Sequence, residues 1–200
     1  GGQFNLGLSA SIDGAAIFRG TTTGDDFNIS NITGAGSLSG ATVSAEDGAD
    51  SITFTVVTGG AYSAVSIDAG SGDDLITAQL AGGVGTDYAV QTGGLVTIDA
   101  GAGADTMIVN VGAQDSAGTI SAGIFNAGSG ADSITFNLLF GSDLETVNTG
   151  TVIDGGSGGD TIGLLANASA GGSTADAQIR GGPGADLITA QFGSGGGVAG

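Results

Sequence analysis

The chain has 200 residues, including 43 glycines, one proline and no cysteine, and its formal net charge is −18. With 20 acidic residues against only Arg19 and Arg180, it lacks the cationic surface that nucleic-acid binding requires. The absence of histidine and cysteine excludes His-based catalysis and disulfide bonds. The sequence has no apolar run of about 20 residues, so it predicts no membrane-spanning helix. We therefore expect a protein that is not an enzyme.

Short Gly–Asp segments recur along the chain in one frame. The clear copies run from Asp68 to Asp74 (DAGSGDD) and through four later segments, and each has two glycines spaced two apart before a final Asp. Glu46 replaces the first glycine of an earlier copy, and Thr21 and Thr23 replace both glycines of the first. The final aspartates recur every 24 to 31 residues, which predicts one solenoid coil per interval. They are Asp25, Asp50, Asp74, Asp105, Asp132, Asp160 and Asp186.

Alternating apolar residues follow each of the last six of these aspartates. Positions two, four and six after the aspartate are apolar throughout, as in Ile52, Phe54 and Val56, and a further apolar residue lies seven positions before it. Period-two alternation predicts a strand with one face turned inward. The sequence therefore predicts an all-β, parallel β-solenoid of about seven coils. Each coil has a strand, a Gly–Asp loop, a second strand and a variable return.

The returns differ in length and leave one question open, which is whether they contain a third strand. They include residues 58–64, 81–94, 112–118, 141–150 and 167–176. No change in composition separates one part of the array from another, so residues 1–200 are expected to form one continuous array. The chain begins without Met or a signal-like segment, which favours a processed protein or a piece of a longer one.

The Gly–Asp loops bring together groups that bind hard cations. Glycines spaced two apart allow a sharp turn that exposes carbonyl oxygens, and the following Asp adds a carboxylate. Stacking such loops about 4.8 Å apart places oxygens of two loops around one gap. That gap suits Ca²⁺, which takes roughly 6–8 oxygen ligands, better than Mg²⁺ or a transition metal. The alternative is that each Asp only caps a glycine turn by bonding to the backbone.

These segments resemble the repeats-in-toxin nonapeptide Gly-Gly-x-Gly-x-Asp-x-(Leu/Ile)-x, a calcium-binding β-helix motif. The resemblance implies a right-handed β-roll that holds several Ca²⁺ ions between stacked loops and folds outside the cell. That family carries a loop on both edges, whereas this chain has one per coil, so one calcium row is expected. The ligands that the resemblance implies are the side chains of Asp50, Asp74, Asp105, Asp132, Asp160 and Asp186 and carbonyls of Gly70, Gly72, Gly101, Gly103, Gly128, Gly130, Gly156, Gly158, Gly182 and Gly184. Further candidate metal ligands at the first position of the loop segments are Asp68, Asp99, Asn126 and Asp154.

The resemblance extends to sparse-loop arrays of bacterial S-layer proteins, adhesins and surface fibrils. It implies a structural role at the cell surface, with self-association end to end or in a lattice. One alternative is an ice- or polysaccharide-binding face, because Thr53, Thr77, Thr135 and Thr189 share one outward strand position. Another is a secretion and folding module of a larger secreted enzyme.

The two arginines occupy matching places in the repeat. Arg19 and Arg180 each lie six residues before a final aspartate, where the intervening copies have Ser, Asp or Asn. We expect their guanidinium groups to supply positive charge at the two ends of the loop row, or at a junction between stacked molecules. Coincidence in so small a sample is the alternative.

Overall fold

The computed structural model is an all-β parallel solenoid, which confirms the predicted fold class. It describes residues 1–7, 12–13, 15–32, 37–56, 61–82, 96–113, 119–120, 123–139, 146–147, 151–167, 173–174 and 178–192. Every strand pairing in this part of the chain is parallel, and each strand pairs with its counterpart one coil away. Within the same residues there is no helix with the length and apolar character needed to cross a membrane.

The strands that follow the Gly–Asp loops form an eight-stranded sheet, here called the post-loop sheet. It has one strand more than the seven predicted loops because Gln3–Gly7 pairs ahead of the first loop. Its register is the one set by the final aspartates, so Ile52, Ile76 and Met107 are direct neighbours. The strands are Gln3–Gly7, Asp26–Ile32, Ser51–Val56, Leu75–Gly82, Thr106–Ala113, Ser133–Leu139, Thr161–Asn167 and Leu187–Phe192.

The strands that enter the loops form a seven-stranded pre-loop sheet. They are Ile17–Arg19, Thr42–Ser44, Ser66–Asp68, Val96–Asp99, Gly123–Asn126, Val152–Asp154 and Gln178–Arg180. Their register again follows the repeat, since Ile67 pairs with Val43 on one side and with Ile98 on the other. The two sheets meet at the Gly–Asp loops.

Short strands in the returns answer the question that the sequence left open. Ile12–Asp13, Ser37–Ser39 and Ala61–Ser63 form one three-stranded sheet, and Thr119–Ile120, Thr146–Val147 and Ser173–Thr174 form another. Third strands therefore exist in several coils. Residues 83–95, which hold most of the longest return, lie outside the described part.

The core is a narrow column of aliphatic and phenylalanine side chains between the two sheets. Ile52, Ile76 and Ile98 are fully buried, as the inward positions of the repeat predict. Phe125 and Phe136 meet edge to face with ring centroids 5.0 Å apart. Ile188 occupies the same inward position but is 45% exposed, because no described coil covers the last strand of the post-loop sheet. One coil thus buries its inner face only through its neighbours.

Candidate functional site

The Gly–Asp loops stack on one another through backbone hydrogen bonds. The Ala102 N–H donates to the Gly70 carbonyl at 2.9 Å, and the Ser129 N–H donates to the Gly101 carbonyl at 2.8 Å. In the opposite sense, the Gly72 N–H donates to the Ala102 carbonyl at 2.8 Å. The parallel hydrogen-bond ladder of the strands therefore continues through the loops. In these bonds, the carbonyl of the first of the two loop glycines is an acceptor.

Both loop glycines are required by backbone geometry. Gly101 has φ +100°, and a Cβ placed on it would lie 1.9 Å from the Gly70 carbonyl oxygen. Gly103 has φ +150°, and its Cβ would lie 1.8 Å from the Gly72 carbonyl oxygen. Each carbonyl oxygen thus occupies the space that a side chain on the corresponding glycine of the next loop would need, and such a side chain would collide with backbone.

The final aspartates of the loops form a column inside the solenoid, here called the aspartate column. Asp50, Asp74, Asp105, Asp132 and Asp160 are each 1–3% exposed. The Oδ1 atom of each accepts a hydrogen bond from the backbone N–H of the aspartate one coil earlier, as in Asp74 N to Asp105 Oδ1 at 2.8 Å. Asp186 completes the column, accepting from Asp160 N at 3.1 Å. At this point of each loop, a carboxylate oxygen therefore accepts the inter-coil hydrogen bond that a backbone carbonyl accepts elsewhere in the parallel ladder.

In five members of the column the other carboxylate oxygen has no hydrogen-bond partner. Oδ2 of Asp50, Asp74, Asp105, Asp132 and Asp160 is fully buried and makes no hydrogen bond. In the loop of Asp160 this oxygen points across the turn, since a Cβ on Gly155 would lie 2.7 Å from it. Unpaired charged oxygens are costly to bury, so a row of five in successive loops is unlike a set of satisfied turn caps.

Burial also changes the acidity of the column. Desolvation raises the pKa of Asp50, Asp74 and Asp132, and it raises that of Asp105 to about 6. The backbone N–H bonded to each carboxylate lowers its pKa, and repulsion from neighbouring carboxylates raises it again, with the net effect upward. Asp50, Asp74, Asp105 and Asp132 are therefore protonated more readily in the folded chain than in the unfolded chain.

Asp25, at the N-terminal end of the column, differs from the other members. Its Oδ2 accepts hydrogen bonds from the Thr21 backbone N–H at 2.6 Å and from the Thr21 hydroxyl at 2.9 Å. The Gly2 N–H donates to its Oδ1. These bonds, that of Gly2 first, hold the pKa of Asp25 below its ordinary value. Asp25 is therefore a carboxylate whose oxygens are all satisfied by the protein.

The first residues of the loop segments form a second and separate row on the outer surface. The pre-loop sheet brings Ser44, Asp68, Asp99, Asn126 and Asp154 into register. These side chains are half-buried or exposed, and the Asn126 amide donates to Asp99 Oδ1 at 3.1 Å. Desolvation, followed by repulsion from Asp68, raises the pKa of Asp99. The predicted ligand side chains therefore fall into two rows, one inside the loops and one outside them.

The two arginines lie at the two ends of this outer row, as expected from the sequence. Arg19 pairs with Ser44 and Arg180 with Asp154 in the sheet register. Arg19 forms an ion pair with Glu46 at 2.6 Å, and Arg180 Nη1 lies 3.9 Å from Asp154 Oδ2. Both guanidinium groups are more than half exposed, so each pair contributes about 0–1 kcal/mol.

The outward threonines of the post-loop sheet form an interrupted row. Thr53 and Thr77 are neighbours, but Ile108 separates Thr77 from Thr135, and Gly163 separates Thr135 from Thr189. A continuous threonine surface, which the ice-binding alternative would use, is not formed by these strands.

The structure places the predicted site residues in stacked loops but does not gather many carboxylates at one point. Among the described residues, no group of three or more His, Cys, Asp or Glu side chains could hold a metal ion. The role of Thr21 was missed by the sequence reasoning. Its signal was the threonine in place of the first glycine, because in this loop the threonine side chain donates to the column aspartate, whereas Oδ2 has no donor in the described loops of Asp50 through Asp160.

Comparisons with protein-family models, with curated proteins and with solved structures found no match. The chain is a repeat protein with a column of stacked, buried aspartates.

Proposed function

We propose that the chain is a calcium-binding structural solenoid, in which Ca²⁺ neutralises the aspartate column and thereby stabilises the stacked coils. The observation that carries the proposal is the row of five buried Oδ2 atoms without a hydrogen-bond partner. At neutral pH such a row needs a proton, a hydrogen-bond donor or a cation at each carboxylate. At Asp25 the Thr21 donors fill this role, whereas the loops of Asp50, Asp74, Asp105, Asp132 and Asp160 have no equivalent donor.

The protein's own cations do not serve the column. Arg19 and Arg180 are the only basic side chains, and both lie in the outer row. The net charge of −18 adds a general repulsion that bound cations would relieve. A cation from solution is therefore the partner that fits buried carboxylates at neutral pH.

The chemistry of the donor set favours calcium among cations. All candidate ligands are oxygens, because the chain has no His or Cys. A cation at the column would use at most two carboxylates together with carbonyl oxygens of the loop glycines, such as Gly72 and Gly103. Ca²⁺ accepts such mixed and irregular oxygen sets, whereas Mg²⁺ requires near-octahedral geometry and retains water.

A structural role outside the cell follows from this proposal. Affinities of about 0.1–1 mM are typical of extracellular calcium modules, and metal binding of this kind is coupled to folding. The resemblance to repeats-in-toxin proteins supports an S-layer, fibril or adhesin component that self-associates and has no catalytic activity. The exposed Ile188 and Leu187 at the last described strand are consistent with a further coil or molecule stacking there.

A matched pair of variants tests the proposal. Asp74→Asn removes one buried charge but keeps an oxygen that can accept from the Asp50 N–H, and Asp73→Asn removes an exposed charge from the same loop. We expect Asp74→Asn to bind at least one Ca²⁺ fewer per chain in equilibrium dialysis, and to be more stable than the unmodified chain in chelator at pH 7. Asp73→Asn should bind as much Ca²⁺ as the unmodified chain, and it should raise stability in chelator less than Asp74→Asn does, because Asp73 contributes only a minor repulsion to Asp74 and Asp105. Equal calcium binding by all three proteins would contradict the proposal.

A further inference from the structure

The N-terminal loop satisfies its column carboxylate without a cation. Thr21 supplies two donors to Asp25 Oδ2, one from its backbone and one from its hydroxyl. At the same position, the later loops have glycine at positive φ, and the loop of Asp50 has Glu46 at φ +76°. No donor reaches Oδ2 in the loops of Asp50 through Asp160. Among the six loops from Asp25 to Asp160, the loop with the threonine is thus the one whose column aspartate is fully hydrogen-bonded.

Other contacts at this end are also independent of cations from solution. The rings of Phe4 and Phe18 are 5.0 Å apart, and those of Phe4 and Phe27 are 5.9 Å apart. The Arg19–Glu46 ion pair connects the first loop segment with the second. This coil is therefore held by aromatic packing, charge pairing and the Thr21–Asp25 bonds together.

We infer that Thr21 takes the place of a bound cation in the N-terminal loop, so that residues 15–32 form a metal-independent cap on which the cation-dependent coils fold. The inference rests on the calcium proposal. In a stacked array each coil is stabilised mainly by its nearest neighbours, so a coil that folds without metal offers the next one a surface to pack on. Calcium would then act from the loop of Asp50 onward, and the loop of Asp25 would bind none.

Hydrogen–deuterium exchange of the full chain in chelator and in calcium tests the inference. In chelator at pH 7, amides of Asp26–Ile32 should remain at least about tenfold more protected than those of Thr106–Ala113 and Ser133–Leu139. Calcium should raise protection in the two later strands and leave the first nearly unchanged. Thr21→Val, which removes the hydroxyl but keeps the shape, should reduce protection of Asp26–Ile32 in chelator by roughly tenfold. Thr21→Ser, which keeps the hydroxyl, should not.

The outcomes separate the two proposals. If all strands lose protection equally in chelator and regain it in calcium, the cap is overturned and the calcium proposal stands. If protection is uniform and indifferent to calcium, the calcium proposal fails and the cap fails with it. If Thr21→Val and Thr21→Ser behave alike, the assigned role of the Thr21 hydroxyl is wrong.

Discussion

Replacing Gly101 by alanine is expected to destabilise the folded solenoid by about 3 kcal/mol or more. The new Cβ would lie 1.9 Å from the Gly70 carbonyl oxygen, and the residue would have to keep φ +100°. Neither problem can be relieved by moving a side chain, because the clash is with backbone that the Ser129 and Ala102 hydrogen bonds hold in register. Denaturant unfolding in saturating calcium, followed by circular dichroism, measures the change.

Gly7→Ala is the control for this substitution. Gly7 ends the first strand and is exposed, and a Cβ placed on it would have no heavy atom within 4 Å. Its free energy of unfolding should stay within about 0.5 kcal/mol of the unmodified chain. If Gly101→Ala changed stability by no more than Gly7→Ala does, the close stacking of the loops would be wrong.

In chelator, the solenoid is expected to lose stability as the pH rises from about 4 to 7. Burial raises the pKa of Asp50, Asp74 and Asp132 above their ordinary value, and that of Asp105 to about 6. Between the ordinary value near 3.8 and these folded values, the folded chain holds more protons than the unfolded chain. Stability is therefore fully present below the ordinary value and is lost as the pH passes the folded one. Asp25 acts in the opposite direction, but only below its ordinary value of 3.8.

Thermal unfolding at several pH values checks this expectation. In chelator the Tm should be at least about 5 °C higher at pH 4 than at pH 7, where little folded structure beyond the N-terminal coil should remain to unfold. Calcium should raise the Tm strongly at pH 7 and little at pH 4, because Ca²⁺ binds the deprotonated carboxylates. A Tm in chelator that rises with pH over this range would show that the column is stabilised as carboxylates by the protein alone.

The fold and its register were predictable because every coil repeats the same sequence pattern. The final aspartate fixes the start of each post-loop strand, and alternation then decides which side chains turn inward, as Ile76 and Ala78 do. A one-residue error in register would turn such a strand inside out, so the pattern specifies the pairing strongly. The short return strands were not predictable, because two or three residues carry too little periodicity.

The division of the candidate site into two rows was less accessible from sequence. Asp68 and Asp74 lie in one loop segment and were grouped as ligands. Their side chains lie on opposite sides of the backbone, so that Asp74 is buried and Asp68 is exposed. The bond from Asp74 N to Asp105 Oδ1 joins residues 31 apart and depends on how two loops stack. Such a contact is a property of the assembled coils and leaves no local signal in either segment.

The most direct test of calcium binding at the aspartate column is far-UV circular dichroism of the chain in chelator at pH 7, titrated with calcium and, in parallel, with magnesium. We predict a cooperative gain of β-sheet signal at roughly 0.1–1 mM calcium, from a chelated state with little more than the N-terminal coil folded. Magnesium at the same concentrations should produce much less change. A complete β-sheet signal in chelator that calcium does not alter would contradict the account and leave the aspartates as structural members of the backbone ladder.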